Sequence, residues 1–529
     1  MKKFKKTLCV VLSLVMLLSL TACGGNKEKA DGGKDGGKDE GKANGVIVIG
    51  VKSDVTSLDP HKENDSTSAQ AVRSIYETLV RLDNDTNEFV PYLAKSFEYV
   101  EGSGNKDLKF TLNEGIKFHN GNPLTAEDVK FSLERQKSSG NVGHLVALID
   151  NVEVLDDYNF IIHLTEPTST ILSSLSHMGC SILDKETVEP MDKEGKSLDE
   201  NPIGTGPFKF KEWVLGSKWS LTKNEDYWND KYKAQCDGLE WKVIPEETGR
   251  TVALQNGEID LLMDVPNVDI KNIKADDKLD VLQYDSTALE FLALNCSKPP
   301  FDNKALREAV AYCVNRPDII QVQFNGEATP CETCIGPAAI GYTDDVVKRE
   351  YSIEKAKEKL AEAGMPNGFS FTISTLGDAR PRAAQVIQAA CKEAGITVDI
   401  EVLEASAYYD KTGKAQHEAG YSGWIANAEP DNTFRPLFSS ATIGVGGSNT
   451  SCFKSDKIDA LLEKGSKSMD PKEKLEAYQG IAKIVSEECA QIPTCSEIGY
   501  IAKSKKIDGM IISPIRMHDF YGLHFVEGK

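Results

Sequence analysis

The sequence predicts an α/β protein with more than one lobe, and three observations support this class. Predicted strands and helices alternate across residues 295–495, which is the pattern of wound α/β lobes. A β-branched run at 46–51, VIVIGV, has the composition of a buried strand. The chain has 529 residues, which is more than one hydrophobic core usually organises, so we expect at least two lobes.

The individual elements follow from hydrophobic spacing and from capping residues. Apolar residues at helical spacing predict a helix at 70–80, and Thr125 with Asp128 three residues later predicts a helix start. A helix is predicted at 382–394, and alternation of polar and apolar residues at 398–402 predicts a half-buried strand. Further helices are predicted to begin at the N-caps Asn303, Ser352 and Asp470.

The first 22 residues have the features of an export signal. Four lysines precede an apolar run at 8–20, which is shorter than the roughly 20 residues that span a bilayer. The sequence LTAC at 20–23 resembles the lipobox of bacterial lipoproteins, in which the signal is cut before a cysteine that is then acylated. We therefore predict a signal peptide at 1–22, lipidation of Cys23 and a membrane-anchored extracytoplasmic protein. The alternative is an ordinary cleaved signal followed by an incidental cysteine.

After Cys23 the composition changes, and 23–44 is predicted to be a flexible linker because its Gly, Lys, Asp and Glu residues cannot fill a core. The formal net charge of the whole chain is −20, which argues against nucleic acid as a partner. Cys331 and Cys334 form a single CxxC, which is too few ligands for a zinc site by itself. The pattern therefore predicts neither a metal nor a cofactor. Whether the ten cysteines beyond Cys23 form disulfides or stay free is left open.

Catalytic motifs are missing from the sequence. It contains no GxSxG, no HExxH and no phosphate-binding Walker loop, so no nucleophile and base can be nominated. A binding protein is therefore favoured over an enzyme, and a lipid-anchored hydrolase is the rival class.

The stretch 423–438, GWIANAEPDNTFRPLF, is predicted to be a ligand-binding loop. It carries an aromatic side chain, an amide, two carboxylates and a guanidinium, which are the groups that small-molecule sites use. The residues are Trp424, Asn427, Glu429, Asp431 and Arg435. The alternative is a solvated loop whose tryptophan covers the core.

Motifs along the whole chain resemble those of the family 5 extracytoplasmic solute-binding proteins. These are the peptide-, nickel- and opine-type receptors of ATP-binding-cassette (ABC) importers. The matching motifs are SLDPH (57–61), YETLV (76–80), LAKSFEYV (93–100), KFTLNEGIKFHNGNPLTAEDVKFSLER (109–135), NPIGTGPFKF (201–210), NEDYW (224–228), LQNGEID (254–260) and LNCSKPPFD (294–302). Their number, order and spacing are far more specific than any one of them.

The resemblance implies a two-lobed periplasmic-binding-protein-like fold of type II, with an extra subdomain inserted in lobe I. On this basis lobe I comprises 45–80, 201–290 and a C-terminal return at 495–529, the inserted subdomain is 81–200, and lobe II is 291–494. The implied function is a monomeric receptor that captures a solute in the cleft between the lobes. It would then deliver the solute to the permease and ATPase subunits of an importer.

The resemblance also assigns roles within the predicted binding loop. In peptide-binding relatives an aspartate before the proline of this loop holds the ligand's ammonium, whereas Ala426 and Asn427 occupy that region here. An amide binds an ammonium more weakly than a carboxylate does, so either Glu429 or Asp431 takes this role or the ligand lacks an ammonium. For a ligand carboxylate, the bidentate fork of an arginine is the suitable partner. The candidates are Arg380, Arg382 and Arg435, and Arg380 is preferred to Arg382, which lies in the predicted helix start.

The predicted ligand is a small peptide or a peptide-like zwitterion. The acidic residues of the loop and the FRPLF that ends it favour relatives that take glutathione or small dipeptides. Nickel chelates, opines and sugars are the alternatives within the family. The histidines nearest to the matched motifs are His61, His119 and His417, and none of them lies in the loop that contains Trp424.

Overall fold

The computed structural model describes residues 45–62, 65–83, 86 and 88–526. The predicted signal peptide at 1–22, the lipidation of Cys23 and the linker at 23–44 lie outside these residues. Within them, no helix combines the length and the apolar character that a membrane crossing requires.

The secondary structure alternates between strands and helices along the described chain. The strands are β1 (Val46–Val51), β2 (Val80–Leu82), β3 (Phe89–Pro91), β4 (Ala94–Tyr99), β5 (Asp107–Leu112), β6 (Ile149–Val154), β7 (Asn159–Leu164), β8 (Phe208–Val214), β9 (Lys218–Lys223), β10 (Gly238–Val243), β11 (Leu261–Leu262), β12 (Leu279–Leu294), β13 (Ala328–Pro330), β14 (Ser370–Leu376), β15 (Thr397–Leu403), β16 (Ala419–Ile425), β17 (Gln491–Ser504), β18 (Ile507–Asp508) and β19 (His524–Phe525). The helices are α1 (Ser66–Ile75), α2 (Ala126–Lys137), α3 (Ile171–Ser176), α4 (Lys185–Glu194), α5 (Glu247–Gln255), α6 (Ile270–Lys274), α7 (Lys304–Tyr312), α8 (Arg316–Phe324), α9 (Ile353–Glu362), α10 (Arg380–Ala394), α11 (Ala405–Gly413), α12 (Asp431–Phe438), α13 (Asp456–Lys467) and α14 (Pro471–Glu488).

The predicted helix caps are present. Asp128 Oδ2 accepts hydrogen bonds from the Thr125 N–H at 2.8 Å and from its hydroxyl at 2.9 Å, which fixes the start of α2. The side chains of Asn303, Ser352 and Asp470 each accept from a backbone N–H in the first turn of α7, α9 and α14. These four predicted starts are therefore confirmed.

The first helix begins and ends earlier than predicted. Asp65 caps it by accepting from the backbone N–H groups of Thr67 and Ser68, so α1 covers 66–75 rather than 70–80. The chain becomes extended at Tyr76, and 77–80 leads into β2.

Two long strands connect the lobes. One sheet runs in the order β15-β14-β16-β12-β17-β11-β1-β10-β9-β8, and β13 also pairs with β17. Strands β12 and β17 pair antiparallel from Leu279, opposite Ser504, to Ala293, opposite Gln491. At one end β17 pairs with β11, and at the other end β12 pairs with β16, so both strands belong to both lobes.

Each lobe and the inserted subdomain has its own hydrophobic core. In lobe I, Trp219 and Trp241 stack with ring centroids 5.5 Å apart, and in lobe II, Phe301 packs edge-on against Phe371 at 4.9 Å. A separate sheet in the order β4-β5-β7-β6 lies in the sequence between β1 and β8 and buries a third core. The result is a two-lobed α/β architecture with a subdomain inserted in lobe I, as the family resemblance implies. The residue boundaries given above remain predictions.

Candidate functional site

A cavity of about 940 Å³ lies where lobe I, the inserted subdomain and lobe II meet. Its walls come from α1, from residues 141–148 and 168–178 of the insert, from residues 424–436 of lobe II, and from residues 513–517 near the C-terminus. Cavities of this size and polar composition hold small-molecule ligands in many proteins. Four of the six predicted ligand-binding residues line it, namely Trp424, Asn427, Asp431 and Arg435.

The lobe II wall is a strand, a short turn and a helix, rather than the continuous loop that the sequence predicts. Trp424 is near the end of β16, where it pairs with Leu289 of β12. The turn at 426–430 is fixed because the Thr287 hydroxyl donates to the Ala426 carbonyl at 2.8 Å. The helix α12 then begins at Asp431, so the sequence prediction of a loop was wrong for 423–425, which belong to β16, and for 431–438.

Trp424 both packs against the lobe II core and faces the cavity. Its ring contacts the apolar cluster that contains Leu289 and Phe434, which agrees with the interpretation that it covers the core. Its indole nitrogen Nε1 is buried and has no hydrogen-bond partner among the described residues. A buried N–H without a partner is costly. Because Nε1 is not accessible from the cavity in this structure, it can donate to a ligand acceptor only after the wall moves.

Asp431 and Arg435 form an ion pair one helical turn apart on the cavity wall. Arg435 donates from Nε to Asp431 Oδ2 at 2.7 Å and from Nη2 to Oδ1 at 3.1 Å. The Tyr478 hydroxyl also donates to Asp431 Oδ1, at 3.0 Å. Burial lowers the pKa of Arg435, but the bonds with Asp431 outweigh this and raise it above its ordinary value. Because a carboxylate offers about four acceptor positions, Asp431 retains one for a ligand donor.

Glu429 does not line the cavity. Its side chain is almost fully buried, and the Lys474 ammonium donates to its Oε2 at 2.5 Å. Burial raises the pKa of Glu429, and the charge of Lys474 opposes that shift. The pair ties the turn at 426–430 to α14, which is a structural role. Contact with a ligand by Glu429 stays a prediction that this geometry does not favour.

Arg380 also lies outside the residues that line the cavity. Its guanidinium donates from Nε to Glu290 Oε2 at 2.8 Å and from Nη2 to Oε1 at 2.7 Å. Gln323 donates to the same carboxylate at 2.9 Å, so Glu290 on β12 is held by two partners. Arg380 is the first residue of α10, so these bonds anchor that helix to β12, the strand shared by the lobes. The predicted carboxylate-binding role is not favoured by this position.

The lobe I wall contains a charged residue that sequence analysis missed. Arg73, on α1, lines the cavity and donates from Nε to Asp519 Oδ1 at 2.6 Å. Asp519 is 446 residues away in the chain, on the C-terminal return. No local pattern could have indicated this contact, because Arg73 reads as an ordinary charged residue of an amphipathic helix.

The three histidines considered from sequence are engaged elsewhere. His61 contacts Arg135, His119 bonds the Gly206 carbonyl and His417 bonds the Thr450 carbonyl, and burial lowers the pKa of each to about 4. The cavity is instead lined by His144 and His177.

His177 is held as a neutral donor. Its Nδ1 accepts from the Gly179 N–H at 3.0 Å, and burial lowers its pKa to about 4. A neutral ring that accepts at Nδ1 carries its proton on Nε2, so Nε2 is a potential donor and is not a metal ligand in this tautomer. Among the described residues, no group of three or more His, Cys, Asp or Glu could hold a metal ion.

The ten cysteines of the described residues are all free. Cys331 and Cys334 are buried, and burial raises the pKa of Cys331 to about 11 and that of Cys334 further. A raised pKa keeps the thiol protonated and unreactive, which is typical of structural cysteines.

Comparison with known proteins identifies the family. The family model described as Bacterial extracellular solute-binding proteins, family 5 Middle, matches residues 88–444. The chain belongs to this family. It is a family 5 solute-binding receptor of the kind that serves ABC importers, with the type II two-lobed fold that the motifs predict.

Relatives of this family 5 protein bind different ligands. It is 31% identical to the Heme-binding protein A of Haemophilus influenzae over 487 residues, covering 86% of this chain and 88% of that protein. It is 30% identical to the Glutathione-binding protein GsiB of Escherichia coli, covering 88% of this chain and 92% of that protein. The structure of DppA from Helicobacter pylori in complex with the peptide STSA matches with a TM-score of 0.77 and 31% identity, covering 91% and 98% of the two chains. All three are binding proteins, which fits a receptor rather than an enzyme.

Proposed function

We propose that this family 5 receptor captures a small peptide or a peptide-like zwitterion and delivers it to the permease and ATPase of an ABC importer. The observation that carries the proposal is the cavity wall formed by Trp424, Asp431 and Arg435. It combines an aromatic face, a carboxylate that retains an acceptor position, and a guanidinium. The peptide complex of DppA and the name of GsiB support the same ligand class.

In the proposed complex, the body of the ligand lies against Trp424. Its ammonium faces Asp431 and its carboxylate faces an arginine of the wall, either Arg435 or Arg73. Glu429 and Arg380 are left out of this proposal because their charges are neutralised by buried partners away from the cavity. Asn427 completes the wall, and its position is set by a bond from its N–H to the Thr433 hydroxyl at 2.9 Å.

A metal chelate or a heme is the second candidate, because His144 and His177 both line the cavity and a relative is named for heme binding. The tautomer of His177 argues against it, since Nε2 of that ring carries the proton. His144 would then be the single histidine available, and one imidazole holds a transition metal weakly. A peptide-like ligand requires no change of the His177 tautomer, because its oxygen atoms can accept hydrogen bonds from the N–H donors of the cavity wall.

The proposed location is the outer face of the cell membrane, with Cys23 lipidated after removal of residues 1–22. The basis is the signal that ends at Cys23 and the likeness of its last residues to a lipobox. Radiolabelled fatty acid is expected to enter the wild-type protein and not the Cys23→Ala variant. Equal labelling of the variant would overturn the anchor.

The ligand proposal is tested by native mass spectrometry of the full chain, first as purified and then after incubation with a tripeptide library. We expect a bound mass that matches a peptide or peptide-like zwitterion, and retention of library members without turnover. A bound heme or metal chelate with no peptide retained would favour the second candidate. Cleavage of many equivalents of peptide would show an enzyme instead.

A further inference from the structure

Two arginines share one buried carboxylate beside the cavity. Arg73 donates to Asp519 from Nε at 2.6 Å and from Nη2 at 3.3 Å, and Arg81 donates to the same carboxylate from Nη2 at 2.9 Å. All three side chains are largely buried. The three residues carry two positive charges and one negative charge, so the cluster keeps a net positive charge in a poorly solvated place.

The two arginines differ in where their remaining donors point. Arg81 does not line the cavity, and its guanidinium lies over the rings of Tyr92 and Tyr232, at 5.0 and 4.2 Å from their centroids. Arg73 does line the cavity, and the contact of its Nη1 is the Met178 sulfur at 4.0 Å. Sulfur of a thioether is a weak acceptor, so Nη1 of Arg73 keeps nearly its full capacity to donate.

The other charged groups of the cavity wall have less capacity left. Arg435 donates to Asp431, Glu463, Ser466 and the Leu462 carbonyl, which uses nearly all of its N–H groups. Asp65 accepts from two backbone N–H groups and two hydroxyls at the start of α1, so its carboxylate is saturated. A ligand carboxylate would therefore find its strongest available donor at Arg73.

We propose that Arg73 is the residue that binds the ligand's carboxylate, by a charge-assisted bond from its Nη1 edge, with Asp519 holding the guanidinium in position. The inference rests on the proposed peptide-binding function and deepens it, because it makes a free carboxylate a requirement for binding. It also places the two ends of a zwitterion on opposite walls, with the carboxylate at lobe I and the ammonium at Asp431 of lobe II. A ligand held in this way bridges the lobes and favours the closed cleft, as in other hinged receptors.

The test compares two tripeptide libraries that have the same sequences, one with free C-terminal carboxylates and one with C-terminal amides. Retention by the purified full chain is measured by native mass spectrometry for the wild type, Arg73→Gln, Arg73→Lys and Arg81→Gln. The wild type is expected to prefer acids over amides on the order of thirty-fold, because a desolvated charge pair is lost with the amide. In Arg73→Gln this preference should fall to less than about threefold, because a neutral glutamine has no charge that would favour a C-terminal carboxylate over a C-terminal amide.

The other variants separate a binding role from a structural one. Arg73→Lys keeps the positive charge and should retain part of the preference for acids over amides. Arg81→Gln removes the other partner of Asp519 and should leave that preference within about threefold of the wild-type value. Equal retention of acids and amides by the wild type, or an unchanged preference in Arg73→Gln, overturns the inference and leaves the peptide receptor standing. Retention of neither library would instead overturn the proposed function and the inference with it. A thermal melt of each variant checks that it is folded, and the ratio of acids to amides is independent of the folded fraction.

Discussion

Two arginine–carboxylate pairs, each with its arginine in lobe II, have nearly the same geometry and very different surroundings. Arg435 with Asp431, and Arg380 with Glu290, both form two-point bonds with a shortest distance of 2.7 Å. The first pair lines the cavity, whereas the second lies between α10 and β12 and is also bonded by Gln323. Ion-pair geometry therefore does not distinguish a binding residue from a structural one. Access to the cavity does, because only an accessible pair can share its charges with a ligand.

The largest expected effect concerns the stability of the buried pair. Removing Arg380 by Arg380→Ala leaves the Glu290 carboxylate buried without its charge partner, which should cost about 3–5 kcal/mol in the free energy of unfolding. Urea denaturation followed by circular dichroism measures this loss. The affinity for ligand, measured by calorimetry on the folded protein, should stay within about twofold of wild type because Arg380 lies off the cavity.

Arg382 offers a matched control on the same helix. Its side chain is exposed at the start of α10, two residues from Arg380, so Arg382→Ala should change stability by less than about 0.5 kcal/mol. If Arg380→Ala lowers the stability no more than Arg382→Ala does, and also loses ligand affinity, then the Arg380–Glu290 pair has a binding role and its structural assignment is wrong. The double variant Glu290→Met with Arg380→Met should recover most of the lost stability, since no unpaired charge remains.

The second prediction compares the two acids of the binding segment. Asp431→Asn removes the charge that faces the cavity, and we expect the affinity for a ligand with a free ammonium to fall by about 2–3 kcal/mol. Glu429→Gln removes a charge that is paired with Lys474 away from the cavity, so it should change the affinity little even though the loss of a buried pair lowers the stability. Calorimetry with the ligand identified by native mass spectrometry measures both. An equal loss in both variants would mean that the segment responds as one structural unit.

Much of the fold was predictable from sequence because its signals are local or are shared by the family. The strand at 46–51 and the caps at Thr125, Asn303 and Asp470 depend on residues within a few positions of each other. The family motifs extended these elements to two lobes and an insert, which periodicity alone does not show.

The site was harder to predict, because contacts between residues far apart in the sequence decide which charged side chains line the cavity. Glu429 and Asp431 are two residues apart and both carry a carboxylate. Glu429 is paired with Lys474 away from the cavity, whereas Asp431 lines the cavity. Arg73 was missed because the residue that orients it, Asp519, lies at the other end of the chain. Sequence analysis could find which segment carries the charges, but not which of them line the cavity.

The smallest expected effect isolates the donor at Trp424. Its Nε1 has no hydrogen-bond partner among the described residues and is not accessible to solvent in this structure. A ligand acceptor would therefore have to reach it as the lobes close, and it would then gain a bond that solvent does not provide. Trp424→Phe keeps an aromatic wall and removes this N–H, and we expect a loss of about 1 kcal/mol, or roughly fivefold in affinity by calorimetry. Trp213→Phe is the matched control, because its Nε1 donates to Asp54 at 3.0 Å and it does not line the cavity. That variant should lose stability but not affinity. If Trp424→Phe binds as well as wild type while Trp424→Ala does not, the ring acts only as an apolar wall and Nε1 makes no bond to the ligand.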